Sequence, residues 1–205
     1  MQKNSQIFGL VFDNIPIINL RNEFNVHYSL LSQPKFRAEF QGRVAPISTR
    51  YLTWYGMPGA LLTLLLQRAI LGIESYLPGA VYFQLGIRGK LDQTTVGRLR
   101  NPASLAGRKM VEKYYRGLPA LVDPGWSLQE LNRPLWKATV RFYEEVRNPL
   151  MHGYEVDPKA VDGVYQAFEH LAQLYKWIDG WHNPRSWWPP PASTATGAQP
   201  PQEHV

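Results

Sequence analysis

The run "GALLTLLLQRAILGIESYL", residues 59–77, constrains the fold of this chain more than any other stretch. Its apolar residues surround almost the whole circumference of a helix, so either lipid or other helices must enclose it. Gln67, Arg68 and Glu74 interrupt the run, and an arginine at the centre of a bilayer costs about 2.5 kcal/mol or more. We therefore predict a buried helix that ends at the following Pro-Gly pair, and no membrane partner.

Three further helices are predicted from apolar residues at three- and four-residue spacing, over residues 102–117, 134–147 and 158–180. Asn101 is a suitable N-cap for the first of them, and Pro119 follows its expected end. Between the helices, "DPGWS" predicts a turn and "SLQEL" resembles a capping box. Helices joined by short connections favour an all-α fold, and we expect a bundle of four to five helices.

The two ends of the chain carry different signals. Residues 36–44 alternate between apolar and other side chains, and residues 24–31 precede a Ser-Gln-Pro turn, so residues 1–50 are expected to form an irregular extension or a β-hairpin. Residues 51–182 are expected to form the helical domain. The Pro-rich tail, residues 183–205, has little to bury and is predicted to be disordered.

Positive charge is concentrated in one part of the chain. The whole chain has a formal net charge of +6, and residues 88–116 contain eight basic and two acidic residues, so eight minus two accounts for the entire excess. Such clustering is typical of a surface that follows a phosphate backbone, although a solvated helix face would carry the same pattern. Tyr114 and Tyr115 lie among these charges and could stack on unpaired bases. The candidate RNA-binding residues are Arg98, Arg100, Arg108, Lys109, Lys113 and Arg116.

The composition excludes several classes of chemistry. The chain has no cysteine, so it has no disulfides, thiolate metal sites or cysteine nucleophiles, which fits a cytoplasmic location. Its five histidines lack the spacing of metal ligands, and it has neither a serine elbow nor a Gly-rich phosphate loop with a lysine. We therefore expect no metal and no cofactor, which leaves chemistry by a histidine beside an arginine.

The stretch "RNPLMHGY", residues 147–154, combines those two residue types. A histidine titrates near neutral pH, so His152 could take a proton from a ribose 2′-hydroxyl or give one to the leaving 5′-oxygen. The guanidinium of Arg147 could hold the negative charge that develops on the phosphoryl oxygens. Because DNA lacks the 2′-hydroxyl, this chemistry would select RNA.

The spacing of the two residues raises a geometric problem. Five positions of an ideal helix rotate by about 500°, so Arg147 and His152 would lie about 140° apart around the axis. Pro149 lies between them and lacks an N–H group, so the helix is expected to kink or end there. A kink could bring both side chains together; alternatively, two chains could form one composite site. A third alternative is that Arg147 only pairs with a carboxylate such as that of Glu144.

Arg147, the polar Asn148, three further residues and then His152 resemble the signature of HEPN domains. The resemblance implies a helical bundle and, as in many members, a metal-independent ribonuclease in toxin–antitoxin, abortive-infection or CRISPR systems. It also implies that Arg147 and His152 are catalytic, that Asn148 orients them, and that a homodimer forms the cleft. Residues 21–27, "RNEFNVH", have a similar spacing, which we interpret as coincidental because they are expected to lie outside the bundle.

Tyr154 extends the resemblance to HEPN toxins that are paired with a nucleotidyltransferase antitoxin, in which a tyrosine at this position accepts AMP. It could equally be an ordinary tyrosine at the end of the bundle. The sequence therefore predicts a metal-independent RNA endonuclease that works as a homodimer, with an antitoxin or nucleotidyltransferase as a further partner. The alternatives are a non-catalytic HEPN-like module that binds RNA, a nucleotide or a protein, and a helical interaction protein.

Overall fold

The computed structural model describes residues 6–7, 10–11, 14–41, 52–105, 107–157 and 160–182. The predicted all-α class is confirmed. The helices are α1 Asn14–Ser32, α2 Pro34–Gln41, α3 Leu52–Ile87, α4 Gln93–Arg100, α5 Met110–Glu112, α6 Leu118–Val122, α7 Leu128–Leu131, α8 Arg133–Phe142, α9 Asn148–Met151 and α10 Val161–His182. Two short strands, β1 Gln6–Ile7 and β2 Leu10–Val11, pair antiparallel. The predicted Pro-rich tail lies outside the described residues.

Helix α3 is the central element of the bundle. It packs against α1, α6 and α10, and its residues Leu62, Leu66, Ile70, Ile73 and Leu77 are buried. Within the described residues, one segment, Gly59–Ile87, is long and apolar enough to cross a membrane, and 56% of its most apolar window is buried inside the protein. The other helices therefore cover most of the apolar surface that makes this segment stand out in the sequence.

The predicted end of α3 at Pro78 is wrong, because the helix continues for nine further residues to Ile87. Proline in a helix interior removes one hydrogen bond and costs about 3 kcal/mol. Pro78 is buried, and apolar residues on both sides of it, among them Leu77 and Val81, are also buried. Tertiary packing of the flanking turns therefore overrides the local preference of the proline.

The strands predicted at residues 24–31 and 36–44 are also wrong, since residues 14–32 and 34–41 form α1 and α2. Helix α1 packs against α3 and α10, although residues 1–50 were expected to be an extension. A buried ion pair fixes it there: Nε and Nη2 of Arg21 donate to Asp179 of α10 at 3.2 and 3.0 Å. The hydroxyl of Tyr76 in α3 donates to the same carboxylate at 2.6 Å.

The helix predicted at residues 102–117 is displaced along the chain. Pro102–Ser104 form only a 3-10 turn, and Asn101 makes no side-chain capping bond. Helix α5, a π-helical turn at Lys113–Gly117 (the first π-turn) and α6 follow one another directly as far as Val122. The predicted end at residue 117 is therefore wrong, and helix α4 was not predicted.

The helix that carries the motif has the same construction. Helix α8, a π-helical turn at Tyr143–Arg147 (the second π-turn) and α9 follow one another directly as far as Met151. Asn132 caps α8 by accepting the Leu135 N–H at 3.0 Å, and Ser127 caps α7 by accepting the Glu130 N–H, which is one of the two bonds of the predicted capping box. Helix α10 closely matches the helix predicted over residues 158–180.

Candidate functional site

The guanidinium of Arg147 is held by a carboxylate on α3. Its Nε donates to Oε1 of Glu74 at 2.9 Å, and its Nη2 donates to Oε2 at 3.2 Å. The hydroxyl of Tyr143 also donates to Oε1, at 2.8 Å, so both partners of Glu74 come from the second π-turn. A fork bonded at two points has a defined orientation, so Arg147 cannot turn freely.

The Arg147 side chain nevertheless keeps contact with solvent. It is 20% exposed, whereas the Glu74 side chain is 8% exposed. A third N–H, on Nη1, points to Oδ1 of Asn148 at 3.4 Å. A guanidinium has five N–H groups, so two remain for a ligand. Burial opposes the charge, but the hydrogen bonds and charge of Glu74 outweigh it, so the pKa of Arg147 is raised.

The alternative pairing of Arg147 with Glu144 is not present. Instead, Glu144 accepts a hydrogen bond from Lys109, and Glu145 forms an exposed pair with Arg141. Asn148 does contact Arg147, as the predicted orienting role requires, although the long distance makes the bond weak. The carboxylate that orients the arginine is therefore that of Glu74, which lies 73 positions earlier in the sequence.

His152 lies where α9 ends. Its backbone N–H points to the carbonyls of Asn148 and Pro149 at 3.1 and 3.0 Å, and its side chain is exposed. Gly153 follows with a φ of 91°, a conformation that glycine adopts without strain, and the chain turns away. Among the described residues, no hydrogen bond joins the imidazole to Arg147 or Asn148. The two predicted catalytic side chains therefore share one helix end but are not joined by a hydrogen bond in the described structure.

Two contacts with α3 fix this helix end in the fold. The side-chain amide of Gln67 donates to the carbonyl of Leu150 at 2.9 Å, and the backbone N–H of Val156 donates to the hydroxyl of Thr63 at 2.7 Å. Between these two anchors, Tyr154 is 68% exposed. Its hydroxyl is thus accessible to another molecule, and Tyr154 does not act as a buried end of the bundle.

Pro149 does not end the helix as expected. Its missing N–H would have bonded the carbonyl of Glu145 in a regular helix. Instead, Asn148 donates to the carbonyl of Tyr143, five residues earlier, which creates the second π-turn. The first π-turn has the same relation to Pro119, since Leu118 donates to the carbonyl of Lys113. Each proline therefore follows a widened turn that removes the conflict with its ring.

The predicted basic residues divide into two groups. The side chains of Arg98, Arg100 and Arg108 are exposed and make no hydrogen bond or ion pair within the described part of the chain. The remaining three have local partners: Lys109 binds Glu144, Lys113 donates to the carbonyl of Ala103 at 2.6 Å, and Arg116 lies 3.9 Å from Glu112.

The basic segment borders the site. Lys109 bonds to the second π-turn, and the rings of Tyr115 and Tyr143 meet edge to face with centroids 5.8 Å apart. Tyr115 is fully buried, so the expected stacking of this ring on RNA is wrong. Tyr114 is partly exposed, and burial together with the charge of Glu74 raises its pKa to about 12, which indicates proximity to the site.

The second Arg-Asn stretch, residues 21–27, lies in α1 and therefore inside the bundle, so the expected reason for dismissing it is wrong. Its arginine is still unsuited to bind a phosphate. Arg21 is 3% exposed, bonds to Asp179 and Asn25, and lies 4.6 Å from the centre of the Tyr175 ring. Burial and hydrogen bonding, and not position in the chain, distinguish the two stretches.

Sequence reasoning missed Glu74, Tyr143 and Gln67 as parts of the site. The available signal was that Gln67 and Glu74 are polar in an otherwise apolar helix, which requires a partner for each when the helix is buried.

No group of three or more residues able to hold a metal ion occurs among the described residues. The chain matches no protein-family model, no curated protein and no solved structure.

Proposed function

We propose that this protein is a metal-independent RNA endonuclease of HEPN type. The observation that carries the proposal is the bidentate hold of Glu74 on Arg147, which fixes a cation on the helix end that also carries the exposed His152. A purely structural arginine would be expected to have its donors enclosed, as those of Arg21 are. The free N–H groups of Arg147 instead remain at an edge that solvent reaches.

In the proposed reaction, His152 accepts the proton of a ribose 2′-hydroxyl, and the oxygen attacks the adjacent phosphorus. The bond to the 5′-oxygen breaks, and that oxygen takes up a proton from an imidazolium. The products are a 2′,3′-cyclic phosphate and a 5′-hydroxyl. Arg147 stabilises the charge on the phosphoryl oxygens, and Asn148 and Glu74 position its guanidinium. This chemistry needs no metal or cofactor.

The lack of a hydrogen bond between the two side chains is compatible with a homodimeric enzyme. His152 makes no hydrogen bond to Arg147 within the described residues, so one chain does not present them as a joined pair. In the proposed dimer, the histidine of one chain faces the arginine of the other across a composite cleft. The exposed positions of His152 and Tyr154 are compatible with such a contact.

We further propose a cytoplasmic role in toxin–antitoxin, abortive-infection or CRISPR-linked defence, with no membrane partner. The accessible hydroxyl of Tyr154 is suited to accept AMP from a nucleotidyltransferase antitoxin, which would silence the enzyme. Transfer would form a bond between the tyrosine oxygen and the α-phosphorus of ATP, with pyrophosphate as the leaving group. Steric and charge conflict with the RNA phosphates would then block the cleft.

The decisive test is RNA cleavage in EDTA. The protein should cut single-stranded RNA and leave 2′,3′-cyclic phosphate ends, whereas His152→Ala and Arg147→Ala should each reduce the rate at least 100-fold. Arg141→Ala, which removes an exposed and paired arginine two turns earlier, serves as the matched control. Equal cleavage by the His152→Ala and Arg141→Ala proteins would refute the proposed mechanism.

The second candidate is a non-catalytic HEPN-like module that binds RNA, a nucleotide or a protein. The exposed Arg98, Arg100 and Arg108 favour it because they support binding without chemistry. In that case RNA would bind with a steep dependence on salt but remain intact, and His152→Ala would leave its affinity unchanged. A helical interaction protein would bind no RNA at low salt.

A further inference from the structure

Two cations at the start of α8 have no partner among the described residues. Arg133 and Lys137 are exposed and lie one helical turn apart, and neither makes a hydrogen bond or ion pair within the described part of the chain. Arg141, one turn further along, differs from them because it is paired with Glu145. The exposed face of α8 therefore begins with two positive charges that the described structure does not neutralise.

Helix α8 itself does not account for these two charges. The peptide dipoles place partial positive charge at the N-terminus of a helix, so a cation in the first turn is unfavourable there. Arg133 is the first residue of α8, and the first turn contains no acidic residue. Lys137 follows at a spacing of four residues, at which like charges repel each other. Both cations thus oppose the stability of the helix, which is expected of side chains that serve a ligand.

The second π-turn brings His152 to the same side of the helix as these cations. His152 lies 19 residues after Arg133. In a regular helix this is a rotation of about 1,900°, which would leave the two residues about 100° apart. The surplus residue of the π-turn removes about 100° of rotation, so about 1,800° remains, which is five full turns. His152 therefore shares a face with Arg133, and Lys137 and Asn148 each lie about 40° from it.

The part of this face between the cations and His152 carries no uncompensated acidic charge. Glu144 and Glu145 are the two acidic residues of the sequence between positions 133 and 152. Lys109 binds Glu144, and Arg141 binds Glu145. A polyanion that follows the face therefore meets two neutral pairs and then two free cations.

The rise of the helix gives the distance from the cations to the site. At 1.5 Å per residue, Lys137 and Arg133 lie about 22 and 28 Å from His152 along the helix axis. One nucleic-acid strand advances about 3.4 Å per nucleotide, so these distances correspond to about six and eight nucleotides. A strand that leaves the site along this face would pass both cations.

We propose that the exposed face of α8, the second π-turn and α9 is a track for single-stranded RNA, on which Lys137 and Arg133 bind phosphates about six and eight nucleotides from the phosphate at Arg147. This inference rests on the proposed function for its ligand and for the position of the site. Contacts to phosphates carry no sequence information. The track therefore favours long RNA over short RNA irrespective of base sequence, and its contribution decreases as salt is added.

The test uses the full chain with His152→Ala, so that RNA stays intact during the measurement. Fluorescence anisotropy in EDTA, at several salt concentrations, measures the binding of labelled single-stranded RNAs of sixteen and of four nucleotides. Arg133→Gln combined with Lys137→Gln removes the two charges of the track. Lys35→Gln combined with Lys176→Gln removes two exposed charges from α2 and α10, and is the matched control. Circular dichroism melting checks that each variant folds.

The track variant should bind the sixteen-nucleotide RNA about 10-fold more weakly than the control variant at low salt. Its slope of log K against log salt should be smaller by about 1.4, or about 0.7 for each phosphate contact. The four-nucleotide RNA should bind both variants equally, because a strand held at the site is too short to reach the cations.

Two results would overturn the proposal. One is the same affinity of the track variant and the control variant for the sixteen-nucleotide RNA. The other is an equal loss of affinity for the long and the short RNA, because the two cations would then bind RNA independently of the site.

The two proposals fail separately. Suppose that wild-type protein does not cut RNA, but the track variant still loses affinity for long RNA alone. The nuclease proposal is then refuted, while the track stands as an RNA-binding surface. If instead cleavage depends on His152 and Arg147 but the track variant binds long RNA as well as the control does, the nuclease stands and the track is refuted.

Discussion

Glu74 shows how a single charged residue in an apolar helix determines the arrangement of a site. A carboxylate that is 8% exposed loses most of its hydration, and this loss must be offset by hydrogen bonds and an opposite charge. Tyr143 and Arg147 provide both. The second π-turn is therefore fixed to α3 because the Glu74 carboxylate needs hydrogen bonds and a positive charge.

The first prediction concerns Glu74→Gln. The amide retains the shape of the side chain but loses the charge that holds Arg147, so stability should fall by about 1–3 kcal/mol. Cleavage should fall about 10-fold or more, because a misplaced guanidinium stabilises the phosphoryl charge poorly. Urea unfolding and the EDTA assay measure the two effects. Glu145→Gln, which loses only an exposed pair with Arg141, is the control and should change stability by less than about 0.5 kcal/mol.

The second prediction concerns His170, whose pKa burial lowers to about 4. In the unfolded chain the His170 imidazole has its ordinary pKa near 6.5, so the unfolded state binds a proton first as the pH falls. Stability should be unaffected above that value and decrease as the pH falls from about 6.5 towards 4. At pH 5 the free energy of unfolding should be about 2 kcal/mol lower than at pH 7.5.

Urea unfolding of the wild-type and His170→Leu proteins at pH 7.5 and 5 measures this loss. The substitution should remove most of the difference between the two pH values, because leucine does not titrate and can keep the contact with Phe142. An identical pH dependence in the wild-type and His170→Leu proteins would contradict the buried neutral imidazole.

At the residue scale, the sequence predicts contacts between residues that are close together in the chain. It does not predict contacts between residues that are far apart in the chain. Asn148 and Arg147 are adjacent, and their contact follows from the motif. The pairing of Glu74 with Arg147 joins residues 73 positions apart, and only the packing of α3 against the motif helix creates it. The same holds for Tyr115, whose place among charges suggested RNA stacking although it lies in the core.

At the scale of helices, prolines were the main source of wrong boundaries. Pro78, Pro119 and Pro149 each suggested a helix end, and each helix continues. Buried neighbours stabilise the first, and π-turns accommodate the other two. Local preference is a weak guide once a helix is buried on several faces, because packing contributes more than propensity.

The wrong strands have a different cause. Phe36 and Phe40 alternate with other residues over too short a distance to exclude a helix. In α1, however, Phe24, Tyr28 and Leu31 recur at four- and three-residue spacing, and they face the core. The helical period was thus present in the sequence at residues 24–31, and the neighbouring turn residues obscured it.

The third prediction tests whether the second π-turn positions Arg147. Pro149→Ala restores an N–H that can bond the carbonyl of Glu145, so the turn can relax to a regular α-turn. Cleavage should fall about 10-fold while the protein remains folded. Pro119→Ala makes the same change beside the first π-turn and should retain cleavage within about threefold. Equal rates for Pro149→Ala and wild type would show that the turn does not position the arginine.

For the whole molecule, the proposed function distinguishes a site formed by one chain from a site shared by two. The fold presents Arg147 at a partly buried edge and His152 in solvent, with no bond between them in the described structure. Fold class alone does not decide between a binding module and an enzyme. A mixing experiment measures the number of chains that contribute to the proposed site.

The fourth prediction is that two inactive variants restore activity to each other. Arg147→Ala and His152→Ala chains are unfolded together and refolded in equal amounts, so that about half of random dimers contain one of each. Such dimers keep one arginine and one histidine from opposite chains and should recover measurable cleavage. The control is each variant refolded alone. A mixture no more active than its components would show that both residues must come from the same chain.

The two π-turns described above also bear on how such a helix tolerates changes in length. Each contains one residue more than a regular α-turn, and this surplus residue lies where the rings of Tyr115 and Tyr143 meet. Deleting one residue inside either turn would return the helix to α geometry without rotating the faces on either side. Deletion of a single residue, which normally disrupts a buried helix, should therefore be tolerated at these two places.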